Sequence, residues 1–357
     1  MHSHGSTPEK NRRKFVLMPG DFENLGDAML SLAAARRLTK DGSVCTLLPY
    51  RKPSREICAE FESEGFTVIG LRDEPAKALW ACRSSNIRIG GGHAIRNDVS
   101  FGWLLFTSVA SRWASLLGKS VRVIGSGATP LQSTAKRLLF SIIFSTCDKV
   151  CVRDKISAAF LLAEFPTART KIEVTGDLAF LKDAVEFNRA SSDGHTCLVS
   201  PGIDANEGRQ ESPSEILAVL RKLSKTKNMR HVILVSHDSR DHLGGSFCES
   251  LEAKILEELS VTVERISDTT IRNGLLAPYA RSTWIITGRL HGLIVGALYG
   301  RNVLYTTGSA DKLRPFAEIF KFRPAHELNK DLDFVDKESM PNQLLLQQKA
   351  AELNFFR

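Results

Sequence analysis

A chain of 357 residues is longer than one hydrophobic core ordinarily supports, so two domains of about 150 residues each are expected. Hydrophobic residues make up 43% and charged residues 25%, the balance of a soluble globular protein, and no stretch approaches the roughly 18–20 uninterrupted apolar residues of a spanning helix. The net charge of +8 points to anionic partners, but the basic residues are dispersed, with no Lys/Arg block interleaved with aromatics, so nucleic-acid binding is not expected.

Residues 1–13 are polar, lack the apolar centre of a signal peptide, and read as a disordered tail. Strands are predicted at KFVLM (14–18), SVCTLLP (43–49), FTVIGL (66–71), IRIGGG (87–92) and VRVIGSG (121–127), each a short run rich in Val, Ile and Leu that stops at Gly or a polar turn. Helical patterns separate them. In LGDAMLSLAAARRLTKDG the apolar Met29, Leu32, Ala33 and Leu38 recur at helical spacing and the pattern stops at Asp41-Gly42. A long amphipathic helix around 131–146, a strand at KVCVRD (149–154), a helix from Ser157 and a strand at IEVTGD (172–177) continue the alternation.

Residues 182–195 are polar and turn-rich and read as a linker. A second series follows, with strands at TCLVSPG (196–202), HVILVSH (231–237), VTVERI (261–266), STWIITG (282–288) and NVLYTTG (302–308). Alternating strands and helices specify parallel sheets covered on both faces. The expected fold is α/β, two Rossmann-like doubly wound domains, 14–185 and 196–330, facing each other across a cleft, with a helix in 331–357 packing back on the body. Seven cysteines, an odd number with no CxxC pair and mostly apolar neighbours, fit reduced buried thiols and a cytoplasmic location.

Polar residues gather where the predicted strands finish: Asn24, Gly26 and Asp27; Gly90, Gly91 and Gly92, with His93; Gly125, Ser126 and Gly127; Arg153-Asp154; Gly176-Asp177; His237-Asp238; and Arg289-Leu290-His291. Ligands of open α/β sheets bind beyond the carboxyl ends of the strands, so this recurrence marks one extended cleft. The stretch GRLHGLIVGALYG (288–300) is the most informative. It places Arg289 and His291 at a strand end, where the following helix directs free N–H groups and the positive end of its dipole at a phosphate or carboxylate. Arg289 adds a planar fork for an oxyanion and His291 a proton donor or acceptor; alternatively, Arg289 ties the two halves by an ion pair and His291 caps the helix. Arg153 is either a second anion ligand or the local partner of Asp154 or Asp177, and Asp177 either a cap or an acid/base group.

GGGHAIRND and GSGATP lack the spacing of the dinucleotide fingerprint, and no GxxxxGK[ST] run is present, so nicotinamide and P-loop chemistry are not expected. The glycines instead permit close backbone approach to a ligand, with His93 either a contact or a surface residue. His231, His237 and His242 lack the helical pairing of a zinc site, and HDSRDH (237–242) is either a solvated turn or a cation ligand; no metal or cofactor is expected.

Taken in order, NLGDAML, IGGG, GSGATPL, VCVRDKIS, VTGDLAF, VSHDSRD and GRLHGLIVGALYG resemble the polysaccharide pyruvyl transferase family, over about residues 15–310. The resemblance implies a GT-B-like fold and transfer of the enolpyruvyl unit of phosphoenolpyruvate onto two hydroxyls of a sugar, forming a pyruvate ketal and releasing phosphate. It implies an acceptor in an exopolysaccharide or other cell-surface glycan, or its lipid-linked oligosaccharide precursor. The family's VRD arginine falls on Arg153 and its RLH pair on Arg289 and His291, which the resemblance makes the donor-binding set. From their positions at the strand ends, Asn24, Gly26, Gly91, Gly92, His93, Gly127 and His237 are expected as further substrate contacts. Asp27 and Asp177 are the implied acid/base residues and His291 a phosphate contact and proton donor; Leu178 follows Asp177 where the family usually has proline.

Two other readings share this fold or its ligands: a GT-B-like glycosyltransferase using a nucleotide sugar, and a non-catalytic glycan-binding protein of a polysaccharide assembly complex. WLLFTSVASRWASLLG (103–118), with Trp103 and Trp113, is expected to be buried between domains, its alternative being peripheral contact with the cytoplasmic face of a membrane. The acceptor sugar and the oligomeric state have no signature in the sequence.

Overall fold

The computed structural model describes residues 12–20, 22, 24–182, 184, 192–202, 211–237, 242–306, 310–327 and 340–355. The N-terminal tail up to residue 11, most of the linker, and 238–241 of HDSRDH lie outside the described residues.

The apolar runs of the first half become β1 (Lys14–Met18), β2 (Val44–Leu47), β3 (Thr67–Val68), β4 (Asn86–Ile95), β5 (Val121–Ala128), β6 (Lys149–Val152) and β7 (Ile172–Val174). All pair in parallel, in the order β3-β2-β1-β4-β5-β6-β7. The helices between them are α1 (Leu25–Thr39), α2 (Arg55–Ser63), α3 (Pro75–Ser84), α4 (Phe101–Leu116), α5 (Thr134–Thr146) and α6 (Lys155–Glu164). One face of the sheet, carrying Val16, Ile87, Val123 and Val150, packs against Ala78 of α3, Leu104 of α4, Phe140 of α5 and Leu161 of α6. Each large aliphatic side chain buried there contributes roughly 1.5–3 kcal/mol, which is what holds polar loops in place at the sheet edge.

The second half forms β8 (Thr196–Ser200), β9 (His231–Val235), β10 (Thr262–Ile266), β11 (Trp284–Thr287), β12 (Asn302–Tyr305) and β13 (Arg323–Pro324), in the order β10-β9-β8-β11-β12-β13 and again parallel. Its helices are α7 (Pro213–Lys227), α8 (His242–Glu258), α9 (Ala277–Arg281), α10 (Leu290–Leu298), α11 (Ala310–Ile319) and α12 (Met340–Glu352). A single π-helical turn, Ile271–Leu276, leads into α9. Strand order reverses between β1 and β4 and between β8 and β11, the switch points at which doubly wound sheets open a crevice.

Three boundaries differ from the sequence reading. Gly90–Gly92 and Gly125–Gly127 do not follow β4 and β5 but lie inside them. Gly90, Gly91 and Gly92 take φ of 120°, 87° and 79°, which only glycine adopts readily, so the ladder to β5 runs on through a register shift instead of stopping. Gly26 and Asp27 sit in the first turn of α1, not ahead of it, because Asn24 opens the helix: its Oδ1 accepts from Gly26 N at 3.0 Å and its carbonyl from Ala28 N at 3.0 Å.

The chain divides into two compact units, one of Met1–Gly20, Ser31–Leu178 and Glu352–Arg357, the other of Asp21–Leu30 and Ala179–Ala351. The segment bearing Asn24, Gly26 and Asp27 groups with the second sheet. All seven cysteines are buried free thiols, and burial pushes those of Cys45, Cys82 and Cys147 up to about 12, so they stay protonated and inert. Among the described residues no helix is long and apolar enough to cross a membrane.

Candidate functional site

In the second unit the polar groups collect at the switch point of the sheet. β11 ends at Thr287, and Arg289 forms the N-cap of α10. Its backbone N–H donates to Thr287 Oγ1 at 3.0 Å and its Nε to the carbonyl of Pro201 beyond β8 at 2.9 Å. The guanidinium is thus anchored in part by Pro201 and lies beside the first turn of α10, where the positive end of the helix dipole favours oxyanions. Gly292 one turn into the helix is required by packing, since a Cβ there would overlap the Tyr279 hydroxyl and Thr287 Oγ1.

His291, on the first turn of α10, is 9% exposed and presents Nδ1 to Asp27 Oδ1 at 4.0 Å. Asp27, itself 7% exposed, is held there by the first turn of α1, where a carboxylate also complements the helix dipole. Gly26 makes the approach possible, because a Cβ at that position would overlap the imidazole ring. The helix start is tied to the second sheet by Leu25 N, which donates to the carbonyl of His237 at 2.9 Å.

His237 lies close to this pair. It is 1% exposed, and its Nε2 lies 3.2 Å from both Ser200 Oγ and the Tyr279 hydroxyl. Burial, reinforced by the positive charge of Arg289 and by His291, pushes its pKa well below the ordinary value, so it is neutral at physiological pH. Tyr279 is wholly buried and its phenol is pushed up by the same loss of solvent. His237 is thus a buried neutral hydrogen-bonding group shared by Ser200 and Tyr279.

Glu211, absent from the sequence-derived candidates, occupies the same switch point. Its Oε1 accepts from Gly202 N and Thr306 Oγ1, both at 2.6 Å, and Gly288 leaves room for it, since a Cβ there would overlap that oxygen. Desolvation raises its pKa despite these bonds and the nearby Arg289. Oε2 is buried and has no hydrogen-bond partner among the described residues. The carboxyl lies beyond the ends of β8, β11 and β12.

In the first unit, Arg153 follows β6 and its side chain is 8% exposed. Nη1 donates to Asp177 Oδ2 at 3.3 Å and Nε to Asp154 Oδ2 at 3.4 Å. Both local partners considered from the sequence are therefore engaged. Asp154 also caps α6, accepting from Ser157 N at 2.7 Å, and the carboxylate of Asp177 is fully buried. Gly127 abuts the guanidinium, where a Cβ would stand 3.0 Å from it. Gly92 pairs with Ser126 across β4 and β5, which brings Gly91, Gly92 and His93 to the strand beside Gly127.

A residue from the end of the chain fastens this edge. Asn354, 0% exposed, accepts from Gly125 N at 2.7 Å and Thr175 Oγ1 at 2.8 Å and donates to the Gly176 carbonyl at 3.1 Å. It fixes the backbone immediately ahead of Asp177. Among the described residues no cluster of three or more His, Cys, Asp or Glu could hold a metal ion.

Two parallel, doubly wound sheets with ionisable side chains at the carboxyl ends of their strands define a protein with two Rossmann-like domains, the fold class of GT-B glycosyltransferases and related epimerases. Among solved structures, the chain is similar to a glycosyltransferase from Rickettsia africae at 15% identity, covering 96% of this chain and 93% of that one with a TM-score of 0.56. It is likewise similar to UDP-GlcNAc 2-epimerases from Methanocaldococcus jannaschii (12% identity, 96% and 98% coverage, TM-score 0.58) and Neisseria meningitidis (12%, 95% and 98%, TM-score 0.55), the latter solved with UDP-GlcNAc bound. No curated protein matches the chain. The chain belongs to the polysaccharide pyruvyl transferase family, whose model matches residues 24–308. It is a family of transferases, and the matched span takes in both candidate clusters except Asn354.

Proposed function

We propose that the protein is a phosphoenolpyruvate-dependent pyruvyl transferase that builds a pyruvate ketal on two hydroxyls of a sugar in a cell-surface glycan or its lipid-linked precursor. The carrying observation is the Asp27–His291 pair at 4.0 Å, set beside Arg289 at the N-terminus of α10, in a chain of this family. The donor bears a phosphate and a carboxylate, and Arg289, the first-turn amides of α10 and Arg153 are groups suited to such anions.

The transfer has two stages. In the first, an acceptor hydroxyl oxygen bonds to C2 of the enol while C3 takes a proton; Asp27 takes the proton of the hydroxyl and His291 supplies the one to C3. In the second, the bond from C2 to the phosphate oxygen breaks, the second hydroxyl closes on C2, and its proton leaves with the phosphate. Asp27 then returns its proton to His291, so that the two hydroxyl protons end on the new methyl group and on phosphate and neither oxidant nor cofactor is consumed. Each proton transfer by a positioned group contributes roughly 10²- to 10⁴-fold. Asp177, buried against Arg153, is in this reading a positioning residue that holds the guanidinium. Because the donor is a cytoplasmic metabolite, the reaction is proposed to run in the cytoplasm.

Incubation of the full chain with phosphoenolpyruvate and a panel of glycan acceptors tests this, following phosphate release and the mass of the acceptor. A parallel arm with UDP-sugars covers nucleotide-dependent transfer; turnover in that arm alone would replace the proposal by glycosyl transfer.

A further inference from the structure

Helix α4 buries Trp103, Leu104, Thr107, Ala110 and Ala114 and leaves its other face open. On that face Phe101 is 51% exposed, Leu105 46%, Val109 54% and Leu116 72%, with Leu117 following at 45%. At helical pitch, positions 101, 105, 109, 112 and 116 fall within an arc of roughly 80°, so the four apolar side chains and Arg112 form one continuous stripe along the helix. A half-polar surface helix shows the reverse pattern, with charged residues outward.

The neighbours of α4 extend the stripe into a surface. It packs between α3 and α5, which expose Trp80 at 68% and Leu138 at 63%. Arg83 lies over the Trp80 ring, its guanidinium carbon 5.2 Å from the centroid. None of the three helices, residues 75–84, 101–116 and 134–146, contains an Asp or Glu. Lys77 pairs with Glu74 at the start of α3, and Arg137 with Glu164 of α6 at 3.6 Å. Lys136 is spent on the carbonyls of Asn97 and Val99. Arg83 and Arg112 are then left as cations with no carboxylate partner among the described residues, set among exposed Trp, Phe and Leu.

We propose that the α3–α4–α5 face docks on the surface of an anionic lipid bilayer, with α4 lying in the interfacial plane. The apolar stripe enters the boundary between headgroups and acyl chains, Trp80 sits at headgroup depth, and Arg83 and Arg112 meet lipid phosphates. Charge decides this occupant over a second copy of the chain. A two-fold interface would lay the face on itself and bring unpaired arginines together with no carboxylate opposite them. A bilayer of anionic lipid supplies the missing negative charge and covers a flat apolar stripe without shape complementarity. Phe101, at the start of α4, lies at the edge of the sheet where the strands end, the edge that also carries Gly127, Arg153 and Asp177. Docking would therefore bring a lipid-linked acceptor to that edge.

Flotation of the full chain with phosphatidylcholine vesicles, with and without about one third phosphatidylglycerol, tests the proposal. No donor is added, so the outcome is independent of pyruvyl transfer. Binding is expected only to the vesicles with phosphatidylglycerol, reduced by raised salt, and weakened by roughly tenfold or more in Leu105→Ser/Val109→Ser/Leu116→Ser. The charge reversal Arg83→Glu/Arg112→Glu, confined to exposed side chains, is expected to weaken it similarly, and serves if the triple variant fails to fold. No binding to anionic vesicles, or binding that neither variant changes, overturns the proposal. So does light scattering that shows an oligomer of the lipid-free protein dissociated by the same substitutions, which would assign the face to a second copy.

Discussion

Nδ1 of His291 lies 4.0 Å from Oδ1 of Asp27, and the imidazole can occupy that place because residue 26 has no Cβ. Gly26→Ala pushes the imidazole off that position. A displacement of about 1 Å at a reacting group costs on the order of 10² in rate. Alanine is otherwise the better helix former by up to about 1 kcal/mol, so the folded state is expected to persist. The expected result is a fall of about two orders of magnitude in turnover with a thermal midpoint close to that of the parent. Steady-state rates beside a melting curve check it.

Asp27→Asn and His291→Gln remove the two members of the pair. Each is expected to lower phosphate release by roughly 10²- to 10⁴-fold. Because the two act as a unit, the double variant should lose little more than the worse single one. Fully multiplicative losses would show that the residues act in separate steps.

His237 makes stability depend on pH. Its pKa in the fold lies well below the ordinary 6.5. The unfolded chain therefore takes up a proton that the native state refuses, and the contribution of the neutral imidazole is complete above about pH 6.5 and lost as pH falls below it. The slope is up to about 1.4 kcal/mol per pH unit. Denaturant unfolding of the parent and of His237→Gln across this window should show a shallower decline in the variant.

Asn354 carries three hydrogen bonds for the edge that holds Asp177 and Arg153. Asn354→Ala leaves Gly125 N, Thr175 Oγ1 and the Gly176 carbonyl without these partners, at about 1–3 kcal/mol for each group left buried and unsatisfied. A lower thermal midpoint is expected together with a raised KM for the donor, since Gly176 directly precedes Asp177. A lower midpoint with an unchanged KM would confine Asn354 to stability.

Arg153 and Asp177 form a buried ion pair at 3.3 Å. Asp177→Asn removes one partner of a desolvated pair, which costs roughly 3–5 kcal/mol, and Asp154 at 3.4 Å from the same guanidinium keeps the loss at the low end. Arg153→Lys retains the charge but not the fork that reaches both carboxylates, so it should raise donor KM more than it lowers stability. Calorimetry and substrate titration separate the two effects.

The parallel strands were legible because runs such as HVILV and WIIT are apolar throughout, as strands buried on both faces must be. Arg289 and His291 were legible because strand, turn and helix follow one another within a few residues. The glycines of β4 and β5 misled the boundary reading: Gly ordinarily ends a strand, whereas left-handed φ at Gly90–Gly92 lets the ladder continue. Glu211 stands in EGRQESPS, a context that reads as solvated; its burial comes from Gly202 and Gly288, contacts no local pattern encodes. Asn354 has the same cause, being joined to Gly125 across 229 positions of sequence. The grouping of 21–30 with the second sheet is likewise a tertiary fact, carried in part by the bond from Leu25 N to His237 O.

The proposed donor is a three-carbon enol phosphate. Its most direct test is the product formed from phosphoenolpyruvate carrying ¹³C at C2 with a glycan acceptor. One phosphate is expected to be released per acceptor modified, with a ¹³C signal at the shift of a quaternary ketal carbon bonded through two oxygens to the sugar. Acceptor that gains no label while phosphoenolpyruvate persists, or that is extended only when a nucleotide sugar is supplied, would contradict it.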